Sequence, residues 1–180
     1  MSKIKSVCVF CGASNNIPKE YIEEGRKIGQ AIAQHGLHLV FGAGNCGIMG
    51  SVANGALSKS GTVTGVFPRI LDGIEAEHKG LTEILIVDDM HTRKHNMFVR
   101  SDAFIILPGG FGTMDETFEV ITWKQLHTHS KPIIFYNYKN YWEHWVALTE
   151  QFINMGFAGE RTRKLYDIVD SIEGIFKILL

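Results

Sequence analysis

The chain has 180 residues, 45% of them hydrophobic and 21% charged, with 18 Lys+Arg against 19 Asp+Glu for a formal net charge of −1 and only 4 Pro. That composition excludes intrinsic disorder and reads as one compact soluble domain over residues 1–180, large enough to bury roughly 70% of its unfolded surface without a disulfide or metal staple. Near-neutral charge supplies no cationic field for a nucleic-acid backbone, which leaves a small anionic ligand as the electrostatically reasonable partner.

The first apolar run is residues 6–10. Together with Lys3 and Lys5 it superficially imitates a signal peptide, but it is too short for one and serves better as a first strand. No segment reads as a membrane span. Further β-rich runs cover residues 37–41, 62–67, 84–87, 103–107 and 132–136. Segments of helical period lie between them at 19–34, 48–59, 90–100, 113–126 and 141–155, and residues 165–180 read as a last short strand and helix. The alternation is a βαβ series, and strands that are almost continuously apolar belong in a parallel sheet covered on both faces. The expected fold is therefore a Rossmann-like, doubly wound α/β sheet. One connection, residues 69–80, is long and polar, carrying Asp72, Glu75, Glu77 and His78. In an open α/β sheet such a loop follows a strand's carboxyl end, where ligands bind.

Glycine makes up 19 of the 180 residues, about 11% against a usual ~7%, and it concentrates at two strand-to-helix junctions. The first, Gly42-Ala43-Gly44-Asn45-Cys46-Gly47, has the G-x-G-x-x-G form. It follows the second strand rather than the first, however, and Pro68 and Arg69 stand where a ribose-binding acid would close the next strand. A tight structural turn is the competing reading. The second junction, Pro108-Gly109-Gly110-Phe111-Gly112-Thr113, is more specific. Pro108 ends the strand ladder, three glycines let successive N–H groups converge, Thr113 adds a hydroxyl, and a helix beginning near Thr113 contributes its positive end. Without the G-K-[ST] ending of a nucleoside-triphosphatase loop, this cradle suits a monophosphate. Asp115, Glu116 and Glu119 follow in the first turns, where acids favour helix N-termini in any case. A carboxylate beside a bound phosphate also calls for a nearby cation, and Arg93 is the candidate, in a helix capped by an aspartate and starting at the same sheet edge.

Other signals carry less. Three cysteines, Cys8, Cys11 and Cys46, are an odd count without scaffold spacing and suggest reduced thiols in a cytoplasmic protein; Cys8 and Cys11 lie on opposite faces of a strand. His91 and His95 have the i,i+4 spacing of zinc ligands but no third ligand, so no metal is expected. His127 and His129 follow a helix end and suit its negative pole. Trp123, Trp142 and Trp145 read as core or subunit interface.

At the second glycine junction the chain resembles the LONELY GUY (LOG) family of cytokinin riboside 5′-monophosphate phosphoribohydrolases. The paired hallmarks P-G-G-x-G-T-x-x-E and M-x-x-R-K stand at residues 108–116 and 90–94, and similarity extends to Cys11-Gly12-Ala13-Ser14, to residues 42–50, and to His78-Lys79-Gly80. Departures include Ala43 for a frequent third glycine, and Glu75-Ala76-Glu77-His78 where Glu-Ile-Ala-His is usual. The resemblance implies catalytic roles for Arg93 and Glu116. It implies binding of a nucleoside monophosphate by Gly12, Ser14, Gly44, Met90, Lys94, Gly109, Gly110, Gly112 and Thr113; in the chemistry expected of these residues, Arg93 positions the ribose and holds Glu116 ionised. It implies no cofactor. The lysine decarboxylase label that such proteins have often carried finds no Schiff-base lysine here. A non-catalytic nucleotide or cofactor carrier built on the same cradle is the alternative. Apolar residues on more than one face of the two helices, among them Phe98, Phe118 and Trp123, point to a homodimer.

Overall fold

The computed structural model describes residues 4–74 and 76–180; Lys3 and Glu75, both noted above, lie outside the described residues. Seven strands form one sheet: β1 (Ser6–Phe10), β2 (His38–Phe41), β3 (Val63–Pro68), β4 (Glu83–Val87), β5 (Ala103–Ile106), β6 (Ile133–Tyr136) and β7 (Asp167–Val169). Their spatial order is β4-β3-β2-β1-β5-β6-β7, and every pairing is parallel. The helices are α1 (Lys19–Gln34), α2 (Gly47–Leu57), α3 (Met90–Val99), α4 (Phe111–Gln125), α5 (Glu143–Asn154) and α6 (Ile172–Leu179). None is long and apolar enough to cross a membrane.

Side chains of a strand alternate between faces, and the two cores follow that alternation. Val7, Val9, Leu39, Phe41 and Ile105 pack under α1, α2 and α6. Cys8, Phe10, Val40, Phe104 and Ile106 pack under α3, α4 and α5, where Trp142 and Trp145 close the layer. Cys8 and Cys11 accordingly belong to different cores. Cover is incomplete at edge strand β4, where Ile84 and Ile86 remain exposed.

α1 and α2 approach so closely that a Cβ at Gly29 would fall 2.0 Å from the Val52 carbonyl oxygen, and one at Gly55 would fall 2.1 Å from that of Arg26. Ser51 Oγ bridges the same seam by donating to Ile22 O at 2.6 Å. Strand order reverses between β1 and β5, the switch point at whose carboxyl side an open α/β sheet leaves a crevice. The segments leaving β1 and β5 border that crevice.

Candidate active site

A cavity of about 680 Å³ opens at the switch point. Residues 11–14 leaving β1, residues 108–110 leaving β5, and Gly112 and Thr113 beyond them line it; Ile17, Pro18, Tyr21, Ile48 and Met49 give it an apolar side. The two loops are laced together by Gly12 N–H donating to Pro108 O at 3.0 Å.

The two glycine junctions part company here. At the first, the amides are spent within the protein: Gly47 N–H donates to Asn15 Oδ1, Met49 N–H to Gly12 O, and Gly44 N–H to the Met49 sulfur. At the second, α4 begins at Phe111, two residues earlier than its sequence suggests, with Gly110 as N-cap. The first intrahelical bond is Met114 N–H to Gly110 O. Among the described residues the N–H groups of Gly110, Phe111, Gly112 and Thr113 find no acceptor, which is what a helix N-terminus leaves for an anion. Thr113 Oγ1 is buried beside them and also has no hydrogen-bond partner. A buried hydroxyl left unpaired costs stability that a bound anion would restore.

Arg93 and Glu116 meet below this cradle. Both are buried, at 5% and 6% exposure. The guanidinium is anchored by two carbonyls: Nη2 donates to Gly42 O at 3.1 Å, just beyond β2, and Nε to Val66 O at 3.3 Å, within β3. Its remaining Nη1 faces Glu116 Oε1 at 3.8 Å, an ion pair longer than a hydrogen bond. Burial pushes the Glu116 carboxyl up to about 7, and the Arg93 charge only partly offsets it. Arg93 favours the ionised form of Glu116, as expected, but acts against burial. Desolvation outweighs an attraction weakened by distance, and the group sits between its two protonation states near neutrality. Such a carboxyl, open to a cavity and poised near 7, can act as a general base or stabilise a developing cation.

A family model described as "Possible lysine decarboxylase" matches residues 49–179. Over 171 residues, 94% of this chain and 86% of the relative, the sequence is 44% identical to the cytokinin riboside 5′-monophosphate phosphoribohydrolase of Rhodococcoides fascians. This chain belongs to the LOG family of phosphoribohydrolases. An Arabidopsis thaliana member of the same name is 35% identical over 99% of this chain and 84% of its own length. A probable member from Oryza sativa subsp. japonica is 38% identical over 92% and 73%. Among solved structures, the molybdenum cofactor binding protein of Rippkaea orientalis matches with a TM-score of 0.72 at 19% identity, covering 99% of this chain and 97% of that one. The molybdenum cofactor carrier protein of Chlamydomonas reinhardtii matches with 0.72 at 19%, covering 97% and 95%. At that identity the two show a shared fold.

Within this LOG-family chain the structure brings Gly12, Ser14, Arg93, Gly109, Gly110, Gly112, Thr113 and Glu116 to one cavity. Three expected contacts lie elsewhere. Gly44 pairs in a bridge with Glu77, so the first glycine run is a structural turn. Lys94 is drawn from the cavity by Asp115 at 3.1 Å and Glu119 at 3.4 Å and ties α3 to α4. Met90 touches the back of the arginine, its sulfur 3.9 Å from Nη1. Residues 76–78 of the long polar connection are zipped onto residues 43–45, with His78 N–H donating to Ala43 O and Asn45 N–H to Ala76 O. His78 Nε2 meets Asn54 Oδ1, and burial lowers its pKa. Sequence reasoning missed Tyr21 and Tyr141, both in the cavity wall. An aromatic at the sheet edge facing a glycine loop was the available signal, but each sat inside a segment of helical period. Among the described residues no lysine lines the cavity, so none there is placed for the Schiff base of a pyridoxal enzyme.

Proposed function

We propose that this protein hydrolyses the N-glycosidic bond of an adenosine-type nucleoside 5′-monophosphate, including N6-substituted cytokinin nucleotides, to free base and ribose 5-phosphate. The observation that carries the reading is one cavity lined both by helix-terminal residues whose N–H groups have no acceptor among the described residues and by the buried Arg93–Glu116 pair. The 5′-phosphate docks on residues 110–113, and this remote binding orients the ribose over Glu116. As the base departs, positive charge grows on the C1′–O4′ unit. Ionised Glu116 stabilises that charge and takes a proton from the attacking water, whose oxygen bonds to C1′ as the C1′–N bond breaks; the departing base takes up one proton from solvent, and Glu116 returns its own to solvent. Arg93, fixed by the carbonyls of Gly42 and Val66, holds Glu116 in place. The apolar wall of Ile17, Pro18, Ile48 and Met49 suits a substituted purine. This buried acid–base pair favours a hydrolase over a nucleotide or cofactor carrier, which has no use for it.

We further propose a cytoplasmic homodimer, a location that suits three free thiols. The surface offered is narrower than the sequence implied. Phe98 is packed against Phe104, Trp123 and Lys131, which leaves Val99, Phe111, Phe118 and Leu126 as the exposed large apolar residues of the two helices and their ends. The test of function is a panel of adenosine-type nucleoside, mono-, di- and triphosphate, with and without N6-isopentenyl groups, assayed for free base. Cleavage of the monophosphate alone is expected, and equal cleavage of nucleoside and monophosphate would refute the reading. Light scattering of the 20.2 kDa chain should give about 40 kDa for a two-fold pair, reduced by Val99→Glu.

A further inference from the structure

Tyr141, in the wall of the cavity, ends a short strap that follows β6, residues 137–141. Lys139 and Asn140 both adopt left-handed backbone, with φ of 53° and 59°. Asparagine tolerates that region, whereas lysine visits it at a cost. Two ties hold the strap there. Lys139 Nζ pairs with Glu20 Oε1 on α1 at 2.5 Å, and the Tyr141 hydroxyl donates to Gly109 O at 2.8 Å. The Tyr141 ring also packs edge-on against Trp142 and Tyr21, with centroids 4.9 and 6.0 Å away.

The second tie matters for the cradle. A trans peptide points its C=O and its N–H in opposite directions. Holding Pro108 O on Gly12 N–H therefore fixes where Gly109 N–H points, and holding Gly109 O on Tyr141 fixes Gly110 N–H. Gly109 and Gly110 have no side chains to restrict them, and unrestrained glycines sample many backbone conformations. We infer that Tyr141 is a positioning residue that presets the phosphate-binding geometry of residues 109–113 through its hydroxyl. This rests on the phosphoribohydrolase reading only for the identity of the phosphate's owner; the cradle would be preset for any phosphate monoester.

The experiment compares wild type, Tyr141→Phe and Tyr141→Leu. Calorimetric titration with inorganic phosphate and with ribose 5-phosphate measures the cradle alone. KM and kcat for the nucleoside monophosphate, the inhibition constant of the phosphate-free nucleoside, and the thermal midpoint complete the set. Losing one hydrogen bond that preorganises a loop should weaken both phosphate ligands and raise KM about five- to tenfold in Tyr141→Phe. The same variant should keep kcat within about twofold and leave the nucleoside's inhibition constant unchanged. Tyr141→Leu, which also loses the ring, should lose at least as much phosphate affinity.

An unchanged phosphate affinity in Tyr141→Phe overturns the proposal. So does an equal weakening of nucleoside and phosphate ligands, which would make Tyr141 a general cavity wall. If wild type binds ribose 5-phosphate but releases no base, the hydrolase reading fails while the titrations still decide the role of Tyr141. If it binds neither phosphate ligand, the cradle and this role fall together.

Discussion

Replacing Glu116 with glutamine tests the electrostatics of the site directly, because it keeps the shape and removes the ionisation. The carboxyl is raised from its ordinary 4.5 to about 7 by burial, so between those values the folded state binds a proton that the unfolded chain releases. Stability contributed by this group is full below about pH 4.5 and is lost as pH rises through about 7. At 1.36 kcal/mol per unit the loss totals about 3 kcal/mol, or roughly 6–12 °C in thermal midpoint for a domain of this size. Urea unfolding of wild type and Glu116→Gln from pH 5 to 8 isolates the effect, since other titrating groups cancel in the difference. Relative to the variant, wild type should weaken steadily as pH rises. Its kcat/KM should rise with pH through about 7, because the ionised form does the chemistry; this limb is distinct from the substrate phosphate's own ionisation near ~6. A stability difference flat across that range would mean that Arg93 keeps Glu116 ionised throughout, and that the balance of desolvation over attraction argued here is wrong.

Gly109→Ala should raise the monophosphate KM more than about tenfold, because the new Cβ would sit 2.1 Å from Thr113 Oγ1 and 2.9 Å from Gly12 N; titration with ribose 5-phosphate checks it. Arg93→Ala should lower kcat by about 10²- to 10⁴-fold, whereas Lys94→Ala, whose ammonium is committed to Asp115 and Glu119, should change kcat/KM less than about threefold. Steady-state kinetics of the pair would contradict the assignment if Lys94→Ala were the worse enzyme. Replacing Cys8 and Cys11 with alanine should leave activity equal with and without reductant, since the two thiols sit in cores on opposite faces of the sheet; a reductant dependence lost in the double variant would restore a redox role.

The parallel sheet was legible because buried parallel strands carry apolar residues on both faces, and residues 6–10, 103–107 and 132–136 do so without interruption. Edge strand β4 shows the limit of that rule: its apolar side chains satisfy the pattern, yet Ile84 and Ile86 stay exposed. The start of α4 was misplaced because Gly110-Phe111-Gly112 is a poor helix former by local preference, and nothing in the sequence shows Phe111, 98% exposed, opening a helix. The identity of the Arg93–Glu116 pair came through family motifs. Its electrostatic balance did not, since that depends on the guanidinium being drawn back by the carbonyls of Gly42 and Val66, contacts across 51 and 27 residues. Tyr141 was hidden for the same reason: its partner is 32 residues away, and periodicity reports only neighbours along one element.

The close seam between α1 and α2 also bears on the shape of the cavity. With Gly29 against Val52 O and Gly55 against Arg26 O, these helices meet main chain to main chain at two points, and the Ile48 side chain packs over Gly25 beside them. α2 carries Ile48 and Met49, and the approach to α1 carries Ile17 and Pro18. That side of the cavity therefore rests on a helix pair whose closest approaches are backbone to backbone. Swapping Ile17 or Met49 would recontour the cavity surface locally, whereas a side chain added at Gly29 or Gly55 would force the two helices apart and shift that side as a whole.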